Sequence, residues 1–525
     1  MARTARHATA PDRVFDLCVV GAGITGAAVA REAALRGAST VVVERADVAS
    51  GTSSRSSRLV HGGVRYLEQG DLHLVHEALA ERRTLCETAP GLVRLERFVF
   101  PAYRGDRRPL WQLRVGLALY DVLSGFAGRA ERLDAAETAE AEPLLRRAGL
   151  AGAMRYDDAR TDDARLALAV VQDARRHGAL VLTYTPALAV TRTGDRYEIE
   201  TRRGTIRART VVVAAGPFTG EALAGPPARG LVVRSRGVHL VFRHEDLPVR
   251  APLVLQVPER HRIVFVLPWG PRTYVGTTDT PYEGDPDAVC VTREDIEELL
   301  AIVAPRLAAP GLRKDAIVGA YAGLRPLVRA PGARDVADLS RSHRIVEAAP
   351  GHLAIVGGKL TTHRVMGEDA AARVFAHLRR PFTRGLSARR PLVPGPPPDT
   401  RDPLVADLAT RHGALAPWLA ARARAEGARR IVPGLPYLEV EATHALDFEG
   451  CVHLSDLLRR RLPLALVDAE ASLAVAPRLA RRLVAAAGRP AAEADDEVAR
   501  YVEALSREAG AALPWLAPPP AVPKS

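Results

Sequence analysis

Phe15-Asp-Leu-Cys-Val-Val-Gly21-Ala-Gly23-Ile-Thr-Gly26 decides the fold. Leu17 to Val20 is an unbroken apolar run, the pattern of a strand covered on both faces of a parallel sheet. Three glycines follow at the spacing Gly-x-Gly-x-x-Gly, and Gly26 to Leu35 is alanine-rich and reads as helix. Gly37 ends that helix, and Thr40-Val-Val-Val-Glu44 reads as the next strand. A strand, glycine turn, helix and strand in this order cradle a dinucleotide. The glycines let the backbone approach a pyrophosphate, and the helix N-terminus attracts its charge. Glu44 lies about twenty residues past the glycines, where a carboxylate accepts hydrogen bonds from ribose hydroxyls. The predicted cofactor contacts in this unit are Gly21, Gly23, Ile24, Thr25, Gly26, Glu44 and Arg45.

The next polar loop, Thr52-Ser53-Ser54-Arg55-Ser56-Ser57-Arg58-Leu59-Val60-His61-Gly62-Gly63-Val64-Arg65-Tyr66, crowds hydroxyls, a glycine pair, a histidine and arginines together. Guanidinium groups bind phosphate through paired hydrogen bonds, so Arg55, Arg58 and Arg65 suit an anionic substrate, with Arg325 a fourth candidate stiffened by Pro326. His61, between an apolar pair and the glycines, is a general-base candidate. Two further glycine turns follow buried strands far downstream, at Ala214-Ala215-Gly216-Pro217 and at Gly357-Gly358-Lys359-Leu360-Thr361. A cofactor reached from segments so far apart points to FAD in a two-domain flavoprotein. A nicotinamide site usually stays within one contiguous sheet. Amides of Gly358 to Thr361, at a helix N-terminus, would face the flavin and stabilise its negative charge on reduction. Lys359 is one of only three lysines among 73 basic residues, with Lys314 and Lys524. A lysine kept against such an arginine bias suggests a role for a compact ammonium.

The rest of the chain bounds this reading. A length of 525 residues calls for two or three domains. The four cysteines, Cys18, Cys86, Cys290 and Cys451, have no metal-ligand spacing and suit a reducing compartment; no metal is expected. The N-terminus has no apolar signal segment, and no run approaches the roughly 18 apolar residues of a spanning helix. The net charge of +12 is spread among 61 acidic residues without a basic block, so nucleic acid is not expected as a partner. Helices are predicted over 72–88 and 113–123, a meander over 181–216, and strands through 231–279. Pro391 to Thr400 is a proline-rich linker, and only helical patterns follow it. The division expected is a tail at 1–14; a discontinuous FAD-binding domain at 15–90, 150–230 and 320–385; a substrate-binding domain at 91–149 and 231–319; a linker at 386–401; a helical domain at 402–513; and a tail at 514–525.

The sequence resembles the FAD-dependent sn-glycerol-3-phosphate dehydrogenases, the respiratory, quinone-reducing type. The likeness runs in order from about 15 to 380. It rests on the glycine turn, on Ser50 to Gly70, on Glu77-Ala-Leu-Ala-Glu-Arg82 and on Asp157-Asp-Ala-Arg-Thr-Asp-Asp163-Ala-Arg-Leu166. It continues in Ile263-Val-Phe-Val-Leu-Pro-Trp269, Gly276-Thr-Thr-Asp279, Gly323-Leu-Arg-Pro-Leu327 and Gly357-Gly-Lys-Leu-Thr-Thr-His-Arg364. Past the linker it is loose, chiefly Asp456-Leu-Leu-Arg-Arg-Arg461.

The resemblance implies an α/β, two-domain FAD-dependent oxidoreductase: a Rossmann-like FAD domain, an antiparallel-sheet substrate domain and a C-terminal helical domain. It implies hydride transfer from C2 of sn-glycerol 3-phosphate to FAD, giving dihydroxyacetone phosphate, with electrons passed on to a membrane quinone. Arg65, Tyr66, Thr278, Arg325 and Lys359 would bind substrate; His61, Arg65, Arg325 and Lys359 would act in catalysis, with His61 or a neutral Lys359 as the base. Thr52, Ser53, Ser54, Ser57, Leu59, His61, Gly62, Gly63, Ala215, Gly216, Pro217, Gly358, Lys359, Leu360 and Thr361 would complete the cofactor site. The protein would be cytoplasmic, docked on the inner face of the plasma membrane, with a homodimer left open. Rival readings are a glycerol-3-phosphate oxidase using O2 and releasing H2O2, a related amine or amino-acid oxidase, and a non-catalytic flavin-binding protein. Arg236 and His363 depart from the family pattern, which has lysine and tyrosine there.

Overall fold

The computed structural model describes residues 13–64, 71–125, 128–219, 223–257, 262–329, 342–392 and 399–516. Arg65 and Tyr66, residues 393–398 of the linker, and most of both tails lie outside these ranges. The N-terminal unit forms as β1 (Val14–Val20), α1 (Ile24–Leu35) and β2 (Thr40–Val43).

Strand β1 lies at the centre of the first sheet, between β2 and the strand Gly204–Val213. The order is His343–Ala349, His352–Gly357, Gly204–Val213, β1, β2, Leu180–Leu182. All of these pairs are parallel except the antiparallel edge strand His343–Ala349. Leu17 and Val19 face the helices, in one core with Ala27, Ala30, Val170 and Val374. Cys18 and Val20 face the other way, in a core with Val43, Tyr197 and Ile206. Both faces of β1 are therefore covered, which is why its sequence is apolar without alternation. Helix α1 packs between the helices Asp163–Arg176 and His363–His377.

The second sheet has ten strands. Val232–Arg243 pairs along its length with Ile317–Val328, and Val93–Tyr103 pairs with Leu150–Thr161. The expected division placed 150–161 and all but the start of 317–328 with the cofactor domain, but both strands belong to this second, antiparallel sheet. Local sequence does not say which sheet a strand joins; its long-range pairing decides. Both segments connect the two sheets, so the cofactor loop and the substrate side are built on shared strands.

Beyond the linker every regular element among the described residues is helical; Val405, Leu408, Leu419 and Leu438 form a small core within this region, but its larger part packs on the second sheet. Leu457, Leu464, Leu479 and Tyr501 share one apolar core with Val238, Leu240 and Ala322 of the antiparallel sheet. On the other side Arg165, from the helix Asp163–Arg176, donates to Glu449 at 2.8 Å and to His412 Nδ1 at 2.9 Å. His412 Nε2 then donates to Glu441 at 2.9 Å. His412, His444 and Glu449 place ligand-type atoms within 4.8 Å of one another. In this group the guanidinium of Arg165 already carries the positive charge.

Two outcomes follow from this packing. A Cβ on Gly26 would overlap the backbone carbonyl of Gly21, and backbone cannot swing aside as a long side chain can. Gly26→Ala is expected to emerge without the visible absorbance of a bound flavin, or to fail to fold. The second concerns pH. Burial, and then Arg165, push His412 down to about 4, so the unfolded chain binds a proton that the folded one refuses. The resulting stability is complete above the ordinary histidine value and is lost as pH falls through about 6.5 toward 4. Despite burial, Arg165 holds Glu449 down to about 2, so that carboxylate loses its contribution only at lower pH. His412→Gln, which keeps one donor and one acceptor, is expected to flatten the fall in melting temperature across the upper window.

Candidate active site

The first half of the site is the turn between β1 and α1. Gly21 has φ +109° and a Cβ there would stand 2.6 Å from the carbonyl oxygen of Ala214. The concavity is thus walled by backbone from two crossing segments, as close approach of a pyrophosphate requires. Gly23 caps α1 with no side chain of its own; the first helical amide, Ile24 N–H, donates to Ser53 Oγ at 2.9 Å. Ser53 thereby fixes the loop Thr52–Ser54 over the helix N-terminus. Thr52 donates to the carbonyl of Leu324 at 2.5 Å, holding the same loop to the second sheet.

Glu44 is buried and closes this turn. It accepts from Ala22 N–H at 2.7 Å and from Ala46 N–H at 2.9 Å. Burial raises its pKa, and the two amides oppose that rise. Each carboxylate oxygen keeps a further acceptor site, so ribose hydroxyls remain compatible partners. Arg45 forms a paired ion bridge with Asp287, 2.6 Å at its shorter bond, and stacks 3.9 Å over the Phe218 ring. Arg45, Thr52, Pro217 and Phe218 line one wall of a cleft of about 430 Å³, whose far wall is Asp456 and Arg459 of the C-terminal helices. Gly216 has φ +58° with open space beside it.

The second half is a cavity of about 100 Å³ between the polar loop and the second sheet, where Ser57, Leu59, His61 and Gly63 meet Thr277, Asp279 and Arg325. His61 is held at its backbone: its N–H donates to Thr361 Oγ1 at 3.1 Å, and Thr361 donates back to the His61 carbonyl at 3.2 Å. Thr361 belongs to the turn before the helix His363–His377, so the polar loop and the Gly358–Thr361 turn are directly tied. Gly357 and Gly358 have φ of +76° and +94°, and a Cβ on either would collide with Val328 or Met366. Lys359 follows them, half-buried, with its ammonium nitrogen out of bulk solvent. His363 donates from Nδ1 to the Leu360 carbonyl at 2.8 Å, and burial lowers it to about 4, keeping it neutral.

Arg325 is fixed as a fork. Its Nη2 donates to Thr277 Oγ1 at 2.9 Å and to the Thr278 carbonyl at 3.1 Å, while Nη1 reaches Asp279 at 3.3 Å. Thr278, expected to bind substrate, instead accepts Val238 N–H on its hydroxyl at 3.1 Å and is fully buried. Its neighbours Thr277 and Asp279 line the cavity in its place.

Two arginines of the loop are engaged in the scaffold rather than waiting for an anion. Arg55 pairs with Glu508 of the C-terminal helices at 2.7 Å. Arg58 is buried, bonds Asp162 at 3.0 Å and lies 3.8 Å over the Trp269 ring. Each of the two follows a serine, whereas Leu324 and Pro326 flank Arg325, the feature that favours Arg325 in the sequence. His239 was missed altogether. It stacks on Tyr321 with centroids 4.7 Å apart, and its Nε2 is 2.8 Å from Ser57 Oγ. Burial, aided by Arg325 and Arg58, lowers its pKa far below the ordinary value, so the ring is neutral. Its place in the alternating strand Val232–Arg243 reads as core; only the cross-sheet approach of Ser57 reveals it.

The comparisons agree with this geometry. A family model described as FAD dependent oxidoreductase matches residues 16–373, and one for the C-terminal domain of alpha-glycerophosphate oxidase matches 352–494. The chain is 38% identical to glycerol-3-phosphate dehydrogenase 1 of Mycobacterium tuberculosis over 506 residues, covering 90% of this chain and 96% of that protein. It is 35% identical to glycerol-3-phosphate dehydrogenase 2 of the same organism, covering 94% and 88%. The solved structure of a glycerol-3-phosphate dehydrogenase from Bacillus halodurans, complexed with FAD, superposes with a TM-score of 0.75 at 26% identity, over 95% of each chain. FAD is the cofactor, and the glycine turn at Gly21–Gly26, with its helix N-terminus, fits the pyrophosphate. With its two sheets, its backbone cradle and its helical C-terminal region, the chain belongs to the FAD-dependent glycerol-3-phosphate dehydrogenase family.

Proposed function

We propose that the protein oxidises sn-glycerol 3-phosphate to dihydroxyacetone phosphate and delivers the electrons to a membrane quinone. The observation that carries this reading is the small cavity lined by both His61 and the fixed fork of Arg325. The names of the relatives support the substrate. When bound, FAD supplies the two-electron acceptor for the C2 hydride. The chain's own groups do the rest. Arg325, with Arg65, holds the phosphate, because a planar guanidinium matches its oxygens in pairs. His61 takes the C2 hydroxyl proton, and the ammonium of Lys359 stabilises the negative charge that develops there. The helix N-terminus at His363 adds to that positive potential.

An exposed surface supports a membrane acceptor. On the helix Leu110–Leu123, Trp111 is 68% exposed and Val115 63%, and Leu119 and Val122 continue the same face. Arg107 and Arg114 beside them are exposed cations. An apolar stripe bordered by arginine suits the interface of an anionic bilayer. No helix among the described residues is long and apolar enough to cross a membrane, so docking would be peripheral, on the cytoplasmic face. One observation favours a second reading with O2 as acceptor: the C-terminal match is to a domain described from an oxidase.

Anaerobic addition of glycerol 3-phosphate to purified holoenzyme is expected to bleach the flavin, and a quinone analogue to restore its colour. Absence of bleaching would overturn the substrate, and rapid recolouring by air with peroxide release would select the oxidase. Arg325→Ala should lose charged hydrogen bonds of about 2 kcal/mol, roughly 30-fold in kcat/KM, mostly through KM. Trp111→Glu should abolish co-sedimentation with anionic vesicles while leaving anaerobic bleaching by glycerol 3-phosphate unchanged.

A further inference from the structure

The aspartates of Asp157-Asp-Ala-Arg-Thr-Asp-Asp163 carry no role in the reaction described above, yet Asp158 and Asp163 are fully buried. Each of three holds one point of the polar loop. Asp163 accepts from both the N–H and the hydroxyl of Ser56, at 2.9 and 2.7 Å. Asp162 takes Arg58 at 3.0 Å. Asp158 reaches further. It accepts the hydroxyl of Tyr120 at 2.8 Å, and that hydroxyl accepts the backbone N–H of Gly62 at 2.9 Å. Arg82 neutralises Asp158 at 3.0 Å and also donates to the Asp157 carbonyl at 2.7 Å.

The contact on Gly62 is tight on every side. A Cβ there would stand 2.7 Å from both Leu79 and the Tyr120 hydroxyl. Gly62 is the residue after His61, whose other side is tied to Thr361. The peptide between His61 and Gly62 is therefore held at both of its polar atoms: its carbonyl by Thr361 of the Gly358–Thr361 turn, and its N–H by Tyr120 of the helix Leu110–Leu123. Asp158 can anchor Tyr120 only while the phenol is protonated, because the hydroxyl donates to Asp158 as it accepts from Gly62. Burial, and then Asp158, raise its pKa well above the ordinary value, which keeps that proton in place.

We propose that Tyr120, anchored by Asp158 and Arg82, is a positioning residue that sets the His61–Gly62 peptide, and with it the His61 ring, for the oxidation step. Tyr120 lines neither the cofactor-side cleft nor the small cavity beside His61, and it acts through the loop. The proposal rests on the oxidation of glycerol 3-phosphate assigned above, but its structural half does not need that substrate.

The test uses holoenzyme of Tyr120→Phe. That variant keeps the ring and its packing against Tyr156 while removing the one hydroxyl. Hydrogen exchange of peptides covering 59–64 reads the relay directly, and the rate of anaerobic bleaching per bound flavin reads its effect on chemistry. Faster exchange confined to this loop is expected, with a bleaching rate lowered about 10- to 100-fold, as for an ångström-scale misplacement. KM and flavin content should stay near those of the unaltered protein. Leu299→Ala, a core truncation in the helix Arg293–Val303, is the control for lost stability: its melting temperature should fall while its bleaching rate stays unchanged. Unaltered exchange at 59–64, an unaltered bleaching rate in Tyr120→Phe, or an equal slowing in Leu299→Ala would each overturn the proposal. Should the unaltered enzyme fail to bleach with glycerol 3-phosphate, the substrate assignment falls and the exchange measurement still decides the relay.

Discussion

At Gly21 and Gly26 the turn after β1 has no room for any atom beyond the backbone, and the rest of the molecule is built to respect that limit. The carbonyl of Gly21 lies where a side chain on Gly26 would begin, and the carbonyl of Ala214 lies where one on Gly21 would. Two parallel strands must run side by side for this to happen, β1 and Gly204–Val213, with both faces covered. Helices on one face and the meander on the other provide that cover, so a local steric rule propagates into the layering of the whole cofactor side. The same closeness brings Ser53 to the start of α1 and Glu44 beneath the turn. Neither is free to move without opening the backbone that a pyrophosphate would occupy.

The polar loop that follows is a different kind of problem. It has few apolar residues to bury and must nonetheless be rigid, since it carries His61. The chain solves this with charge. Arg55, Arg58, Asp158, Asp162 and Asp163 pair or bridge, and the carboxylates come from a single strand end of the second sheet. Buried ion pairs of this sort contribute little net stability, because desolvation offsets attraction, but a broken one is costly. Their value here lies in fixing one geometry. Arginine suits the task better than lysine, since its planar fork bonds two partners at once and stacks on rings, as Arg58 does on Trp269. The strong arginine bias of the sequence is thus not only a surface property.

What could be read from the sequence follows the range of the forces involved. The β1–α1–β2 unit was legible because glycine sterics, helix propensity and apolar runs act over a few neighbours, and the helix over 72–88 was legible for the same reason. Sheet membership was not: it is set by pairing with strands remote in sequence, Val93–Tyr103 for Leu150–Thr161 and Val232–Arg243 for Ile317–Val328. Side-chain roles divided along the same line. Arg325 stood out through the proline behind it, whereas Arg55 and Arg58 looked equally suited to an anion until Glu508 and Asp162 were seen beside them. Thr278 and Thr277 are adjacent in sequence and take opposite parts, one bonding the backbone of Val238 and the other lining the cavity. Nothing local distinguishes them.

The C-terminal helices show why the domain picture drawn from sequence was too sharp. A proline-rich linker suggests independence, yet the helices bury Leu457 and Leu464 in the core of the antiparallel sheet and send Glu508 to Arg55. Arg460 and Arg461 reach Asp47, three residues past Glu44, at 2.6 Å each. These contacts fall on the two ends of the stretch from Glu44 to Arg55, whose middle crosses over the start of α1. A rigid brace on that stretch limits how far the loop can lift from the turn. Shared apolar packing alone could not do this, because it would let the helices slide as a body. Directional bonds to Asp47 and Arg55 prevent sliding, and they make the helical region a structural part of the cofactor cradle rather than an appendage to it.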